Sequence, residues 1–225
     1  MNIWVYLKQY LLKHGNNVAF VYRKTQVTYT ELINMVEQPN GCDGIVICDE
    51  KDRLNQIISM LRCFYNKNIC IPVNFDYGEV YNKNIREMVY RNAEERIPND
   101  VAMIMFTSGS TGVPKGAMLT HENIISNLMA INGYMKLDSS DKILVSRSPM
   151  HVAVFTGEIL VGLYSGATIY LYDEQMIPQR LLKFIRQNKI SVFANTPTIT
   201  EHQNMHSKNH NIPIIYSFAL QKAFA

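Results

Sequence analysis

The residues best suited to chemistry in this chain fall in one short stretch, Thr107-Ser108-Gly109-Ser110-Thr111-Gly112-Val113-Pro114-Lys115-Gly116. An apolar run, Val101 to Phe106, leads into it, and apolar sequence resumes at Ala117-Met118-Leu119. The layout reads as strand, tight polar loop, strand. Gly109, Gly112 and Gly116 let the backbone turn through conformations closed to other residues and let a bulky ligand approach the main chain. Successive amides in such a turn can converge on an anion. The hydroxyls of Thr107, Ser108, Ser110 and Thr111 add donors, Lys115 adds a mobile positive charge suited to phosphate, and Pro114 stiffens the approach to it. The ligand these residues suit is a polyphosphate.

Two plainer explanations stand beside this one. A Ser/Thr/Gly stretch is often only a flexible loop, although apolar strands flank this one tightly. A Walker-type P-loop needs glycine directly before its lysine and Ser or Thr directly after it, whereas Pro114 precedes Lys115 and Gly116 follows.

Other polar clusters point to structure first. His121 and Glu122 are adjacent, do not share a helix face, and read as helix-start residues. His202, His206 and His210 would share a face of a helix, but Asn and Lys surround them and a solvated stretch explains them better than zinc. Cys42, Cys48, Cys63 and Cys70 show no Cys-x-x-Cys spacing and no companion histidines, so they read as reduced thiols rather than disulfides or zinc ligands.

The run Thr-Ser-Gly-Ser-Thr-Gly-Val-Pro-Lys-Gly resembles the phosphate-loop signature of the adenylate-forming superfamily: acyl-CoA synthetases, luciferase-like enzymes and peptide-synthetase adenylation domains. Every position of the signature is filled, and the usual continuation follows as Leu119-Thr120-His121-Glu122-Asn123. An early family element, Thr-Tyr-x-Glu-Leu, stands here as Thr28-Tyr29-Thr30-Glu31-Leu32. The resemblance extends more weakly over residues 1–200.

The resemblance implies an AMP-forming ligase. A carboxylic acid would attack the α-phosphate of ATP, giving acyl-AMP and pyrophosphate, and the acyl group would pass to a thiol, CoA or the phosphopantetheine of a carrier protein. It implies ATP and Mg²⁺ as cofactors, a nucleotide site at Thr107, Ser108, Gly109, Ser110, Thr111, Gly112 and Lys115, and catalytic roles for Lys115 and His151. His151 would answer to a Pro-x-x-His element lining the substrate pocket, but Pro149-Met150-His151 is one residue shorter than that spacing. A histidine hydrogen-bonded at a helix start explains it equally well. His151 in place of a Phe-Asp-x-Ser-like element leans toward a fatty or other organic acid. The family's adenine, ribose and catalytic-lysine elements find no match in these residues. The expectation is therefore the N-terminal part of an adenylating domain, through truncation, gene splitting or decay, with a separate chain as one way the rest would be supplied; the alternative is a non-catalytic relic or nucleotide-binding module on the same half-fold.

The elements that must carry the loop follow from periodicity and capping. Ile3, Trp4, Leu7, Tyr10 and Leu11 recur at helical spacing up to His14-Gly15-Asn16. Val18–Tyr22 and Gln26–Thr28 form a hairpin, and Thr28-Tyr29-Thr30-Glu31 is a capping box opening a short helix. Strand 44–48, a helix through Leu54, Ile57, Ile58 and Leu61, and strand 69–73 make a βαβ unit with parallel strands. Residues 74–100 read as a polar connector containing one short helix. Thr120 caps a helix to about Lys136, and strand 143–146 precedes a helix from His151 to Tyr164 that ends at Gly166. Strand 168–171, a helix from Pro178 to Gln187, strand 192–194, a helix at Pro197 and a strand at 212–218 complete the series. The class is α/β: mixed, mostly parallel sheets flanked by helices, like the N-terminal half of the large domain of adenylate-forming enzymes. The polar segment near residue 98 divides a βαβ-containing portion, 1–98, from a loop-containing α/β portion, 99–225, that the resemblance implies is C-terminally incomplete.

Composition excludes several classes. A net charge of +3 with no Lys/Arg block argues against nucleic acid as partner. Lys8 and Gln9 interrupt the first apolar run, so no signal peptide is read, and no apolar stretch approaches a membrane span. A cytoplasmic protein is expected.

Overall fold

The computed structural model describes residues 1–73, 78–91, 97–107, 115–174, 177–195 and 214–217. Helix α1 spans Ile3–Leu11, with the Asn2 side chain accepting from Trp4 and Val5 N–H, and passes into a 3₁₀ turn, Leu12–His14. Strands β1 (Val18–Tyr22) and β2 (Thr25–Thr28) pair antiparallel around Arg23-Lys24, Arg23 taking a left-handed φ of 55°. Thr28 caps α2 (Tyr29–Val36), and its capping box with Glu31 is complete. Strand β3 (Ile45–Cys48), helix α3 (Arg53–Tyr65) and strand β4 (Ile69–Pro72) form the expected parallel βαβ unit.

The connector holds a longer helix than the sequence suggested, α4 (Glu79–Arg91), in which Ile85 is buried and Val89 packs beside it. Strands β5 (Val101–Thr107) and β6 (Lys115–Thr120) are antiparallel, and Thr120 caps α5 (His121–Met135). After β7 (Lys142–Val145) comes one continuous helical stretch: α6 (Val152–Val154), a π-helical segment (Phe155–Leu160) and α7 (Val161–Ser165). Gly166 ends it at φ 79°, the left-handed position that favours glycine. Strand β8 (Thr168–Leu171), helix α8 (Pro178–Asn188, with proline in its first turn), β9 (Val192–Asn195) and β10 (Ile214–Ser217) follow. The helix expected at Pro197 and the three C-terminal histidines lie outside the described residues.

Two sheets result. One has six strands in the order β10-β9-β7-β8-β1-β2, the other four in the order β3-β4-β5-β6. Among the described residues only the β1–β2 and β5–β6 pairs are antiparallel, so the sheets are mixed and mostly parallel, as expected. Both sheets take strands from either side of residue 98.

Alternation along the strands sets the layers. Ile143, Val145, Ile169 and Leu171 face a central core shared with Cys48, Cys70, Met103 and Met105 of the other sheet, and α1, α2, α3, α5 and the 152–165 helix fill the space between. The intervening Leu144 and Tyr170 face outward onto Leu181 and Ile185 of α8. Ile71 and Ile104 likewise face outward toward Ile85 of α4. The order is helix, sheet, helices, sheet, helix. Sheets covered on both faces need apolar residues at both alternations, which is why these strands read as continuous apolar runs.

Tyr29 locks one corner of this core. It is fully buried, and its hydroxyl donates to the Ala167 carbonyl at 2.7 Å. Tyr29→Phe would leave that carbonyl buried without its partner, so we expect a loss of about 1–3 kcal/mol. The midpoint of urea unfolding checks it, and an unchanged midpoint would deny the bond a structural role.

Candidate nucleotide site

The antiparallel register runs Val101↔Thr120, Met103↔Leu119, Met105↔Ala117 and Thr107↔Lys115. The last pair closes the ladder, so the seven residues Ser108–Pro114 bridge two adjacent strand ends. Those seven lie outside the described residues; Thr107 is described in its backbone only, and Lys115 is exposed at the start of β6. Beside Lys115, a Cβ on Gly116 would come within 2.9 Å of Ile104 Cγ2 and 3.2 Å of the Phe106 ring, so only glycine fits there without displacing them.

His151 sits on the other sheet. After β7, Ser148 makes a turn, its carbonyl accepting from His151 N–H at 3.2 Å and its hydroxyl from Met150 N–H at 3.3 Å. His151 is half-buried at the N-terminal boundary of α6, and its carbonyl accepts from Phe155 N–H at 2.9 Å. It therefore occupies a helix start, with Thr107 and Lys115 at the end of a different strand. Thr107 ends β5, which runs parallel to β4, and His151 follows β7, which runs parallel to β8. Each lies at the carboxyl end of a parallel strand, where open α/β sheets bind ligands.

Arg53 relates the carboxyl end of β3 in one sheet to those of β7 and β8 in the other. It follows β3 and stands at the first position of α3, where the helix dipole disfavours a cation. Its guanidinium Nη1 reaches the carbonyls of Ser146 (3.1 Å) and Arg147 (3.4 Å) after β7 and of Tyr172 (2.8 Å) after β8. The carboxyl ends of β3, β7 and β8 thus share one side of the molecule. The misplaced charge was a signal in the sequence, but its acceptors lie about a hundred residues away.

Ion pairs line the same edge. Arg86 of α4 pairs with Asp49 after β3. After β8, burial pushes the Asp173 carboxyl up, yet the hydrogen bonds from Arg23 and Tyr22 outweigh it and hold the group below its ordinary range. Arg147 pairs with Glu158 in the π-helical segment, and Glu158 is 3% exposed. Burial raises that carboxyl to about 7 despite the arginine. A π segment takes an extra residue into a turn and recurs at functional sites. His121 opens α5, its Nδ1 accepting from Ile3 N–H at 3.3 Å, and Glu122 beside it is exposed.

The fold is α/β, and the carboxyl ends of its parallel strands β3, β7 and β8 gather on one side. A family model for AMP-binding enzymes matches residues 45–215, and the chain belongs to that family. Among curated relatives, tyrocidine synthase 3 of Brevibacillus parabrevis is 36% identical over 107 residues, 47% of this chain and 2% of the relative. Feruloyl-CoA synthase of an Amycolatopsis species is 35% identical over 101 residues, 45% of this chain and 20% of the relative. Among solved structures, ATP-bound MatB of Rhodopseudomonas palustris superposes with a TM-score of 0.70 at 17% identity, over 90% of this chain and 51% of MatB. The chain thus spans about half of that structure and a smaller share of the two curated relatives. No helix among the described residues is long and apolar enough to cross a membrane.

Proposed function

We propose that this chain supplies the triphosphate-holding part of a ligase that activates a carboxylic acid as its acyl-adenylate with ATP and transfers the acyl group to a thiol. The observation that carries the reading is the Thr107↔Lys115 pair. It brings the two ends of a Ser/Thr/Gly segment side by side and sets a lysine at its exit, the arrangement a polyphosphate needs from backbone amides, hydroxyls and one mobile cation. Family membership and ATP-bound MatB add independent support.

In this reading Thr107, Ser108, Gly109, Ser110, Thr111 and Gly112 cradle the β- and γ-phosphates, which depart as pyrophosphate. Lys115 neutralises charge as the bond to the α-phosphate breaks, because positioning and electrostatics carry such transfers. Mg²⁺, held by the phosphate oxygens themselves, supplies further charge neutralisation when bound. His151, at the carboxyl end of β7, is assigned to the acid's side of the site. The thiol is CoA or a carrier protein's phosphopantetheine, as in feruloyl-CoA synthase and the L-prolyl-carrier-protein ligase of Pseudomonas fluorescens, another relative at 35% identity.

The test is ATP affinity measured by titration calorimetry on the 225-residue chain. Lys115→Ala removes a charge-assisted hydrogen bond of about 1.5–3 kcal/mol, so affinity should fall roughly tenfold to a hundredfold. An affinity equal to that of the unaltered chain would remove Lys115 from the nucleotide site.

A further inference from the structure

A cluster of sulfur lies in the central core and has no part in the proposed phosphate chemistry. Cys48 ends β3, Cys70 lies on β4, and Cys63 lies on α3, the helix joining those strands. The parallel register sets Val46 beside Cys70 and Cys48 beside Pro72, so both strand cysteines project from one face of the sheet. Helix α3 covers that face. Cys48 Sγ lies 3.6 Å from Cys63 Sγ and 3.5 Å from Cys70 Sγ, and all three sulfurs fall within 4.8 Å of one another. The three residues are 0, 1 and 0% exposed, whereas Cys42 is exposed.

A disulfide joins two sulfurs at about 2.05 Å and leaves the third without a role. A single ion uses all three. With metal–sulfur bonds of about 2.3 Å, thiolates around one centre stand roughly 3.7–4.0 Å apart, so the two edges at Cys48 need only a few tenths of an ångström of adjustment. Ser59 lies one turn before Cys63 on the same face of α3. Glu50 Oε2 is buried without a hydrogen-bond partner.

We propose that Cys48, Cys63 and Cys70 form a buried three-thiolate site for one thiophilic divalent ion of the zinc class. Binding exchanges three S–H protons, released to solvent, for three metal–sulfur bonds and leaves the ion with three thiolates at a net charge of −1. The ion ties β3, α3 and β4 together next to β5, the strand that leads into the phosphate loop. Its role is to brace that sheet, and it stands or falls independently of nucleotide binding.

The test uses the 225-residue chain carrying Cys42→Ser, reduced and metal-free, titrated with Cd²⁺ as a spectroscopic stand-in. One equivalent should bring up a thiolate-to-metal charge-transfer band in the ultraviolet, release three protons into weakly buffered solution and raise the thermal midpoint. Cys63→Ser should weaken binding by about a hundredfold or more, since even supporting residues outside the ligand set change metal affinity 10- to 100-fold. X-ray absorption on the chain with all three sulfurs intact should count three sulfurs around cadmium, which keeps the result decisive if the serine variant fails to fold. Absence of the band, a band undiminished in folded Cys63→Ser, or a sulfur count of one or none would overturn the proposal. A Cys48–Cys63 disulfide forming in place of metal uptake would overturn it as well.

Discussion

Arg147→Met is expected to destabilise the folded chain by up to about 1.4 kcal/mol more at pH 8 than at pH 5, because a buried carboxyl that already titrates at about 7 takes up a proton when its partner is removed. Glu158 is almost wholly buried, and Arg147 is its ion-pair partner. Burial already raises the Glu158 carboxyl from its ordinary 4.5 to about 7, against the pull of the arginine. The folded state therefore holds this proton more tightly than the unfolded chain. Its contribution to stability is fully present below about pH 4.5 and is lost as pH rises through about 7, a swing of roughly 3 kcal/mol.

Without Arg147 the carboxyl is pushed higher still, so the variant's deficit concentrates where the group would have to ionise. Below pH 4.5 the carboxyl is protonated in both states, and only a neutral hydrogen bond and the arginine's alkyl packing are missing. Urea midpoints at the two pH values decide the matter, other titrating groups being common to both chains. Glu158→Gln in the Arg147→Met background should recover the extra loss at pH 8, because glutamine has no proton to take up. An equal deficit at pH 5 and pH 8 would show that packing, and not charge, holds this pair in place.

Phe64→Ala should cost about 3–5 kcal/mol, through lost transfer energy and the cavity left behind. Phe64 is fully buried near the end of α3. Its ring centroid lies 6.1 Å from those of Phe155 in the π-helical segment and His121 at the start of α5, and its carbonyl accepts from the Asn2 side chain at α1. One ring thus joins α3, α5 and the 152–165 helix in the layer between the two sheets. Since that layer is a single core, the variant should still unfold in one transition, at lower urea, with far-ultraviolet circular dichroism and Tyr/Trp fluorescence changing together. Two transitions, with Trp4 reporting only the first, would mean that the sheets do not share a cooperative core.

Local chemistry was readable from the chain alone. Thr28 and Thr120 offer side-chain oxygens to orphan helix N–H groups three residues on, Pro178 suits a first turn, and Gly166 accepts a left-handed φ; each is decided within a few residues of itself. The Thr107–Gly116 composition pointed to a phosphate ligand for the same reason, since donors, glycines and lysine are contiguous. The length of α4 was missed although Ile85, Met88 and Val89 recur at helical spacing, because Asn, Lys, Arg and Glu surround them and made the segment read as a polar connector. Nor was the division of strands between sheets. β1 lies beside β8, about 150 residues later, through a register that only the completed sheet imposes.

Arg53 with the carbonyls after β7 and β8, Arg147 with Glu158, and Cys48 with Cys63 and Cys70 are of the same kind. The sequence by itself determined which segments are helix or strand and which residues suit a polyphosphate, because those properties depend on neighbours in the chain. Only the tertiary structure decided which charges and sulfurs meet, because strand order and register bring together side chains whose spacing in sequence carries no periodic signal.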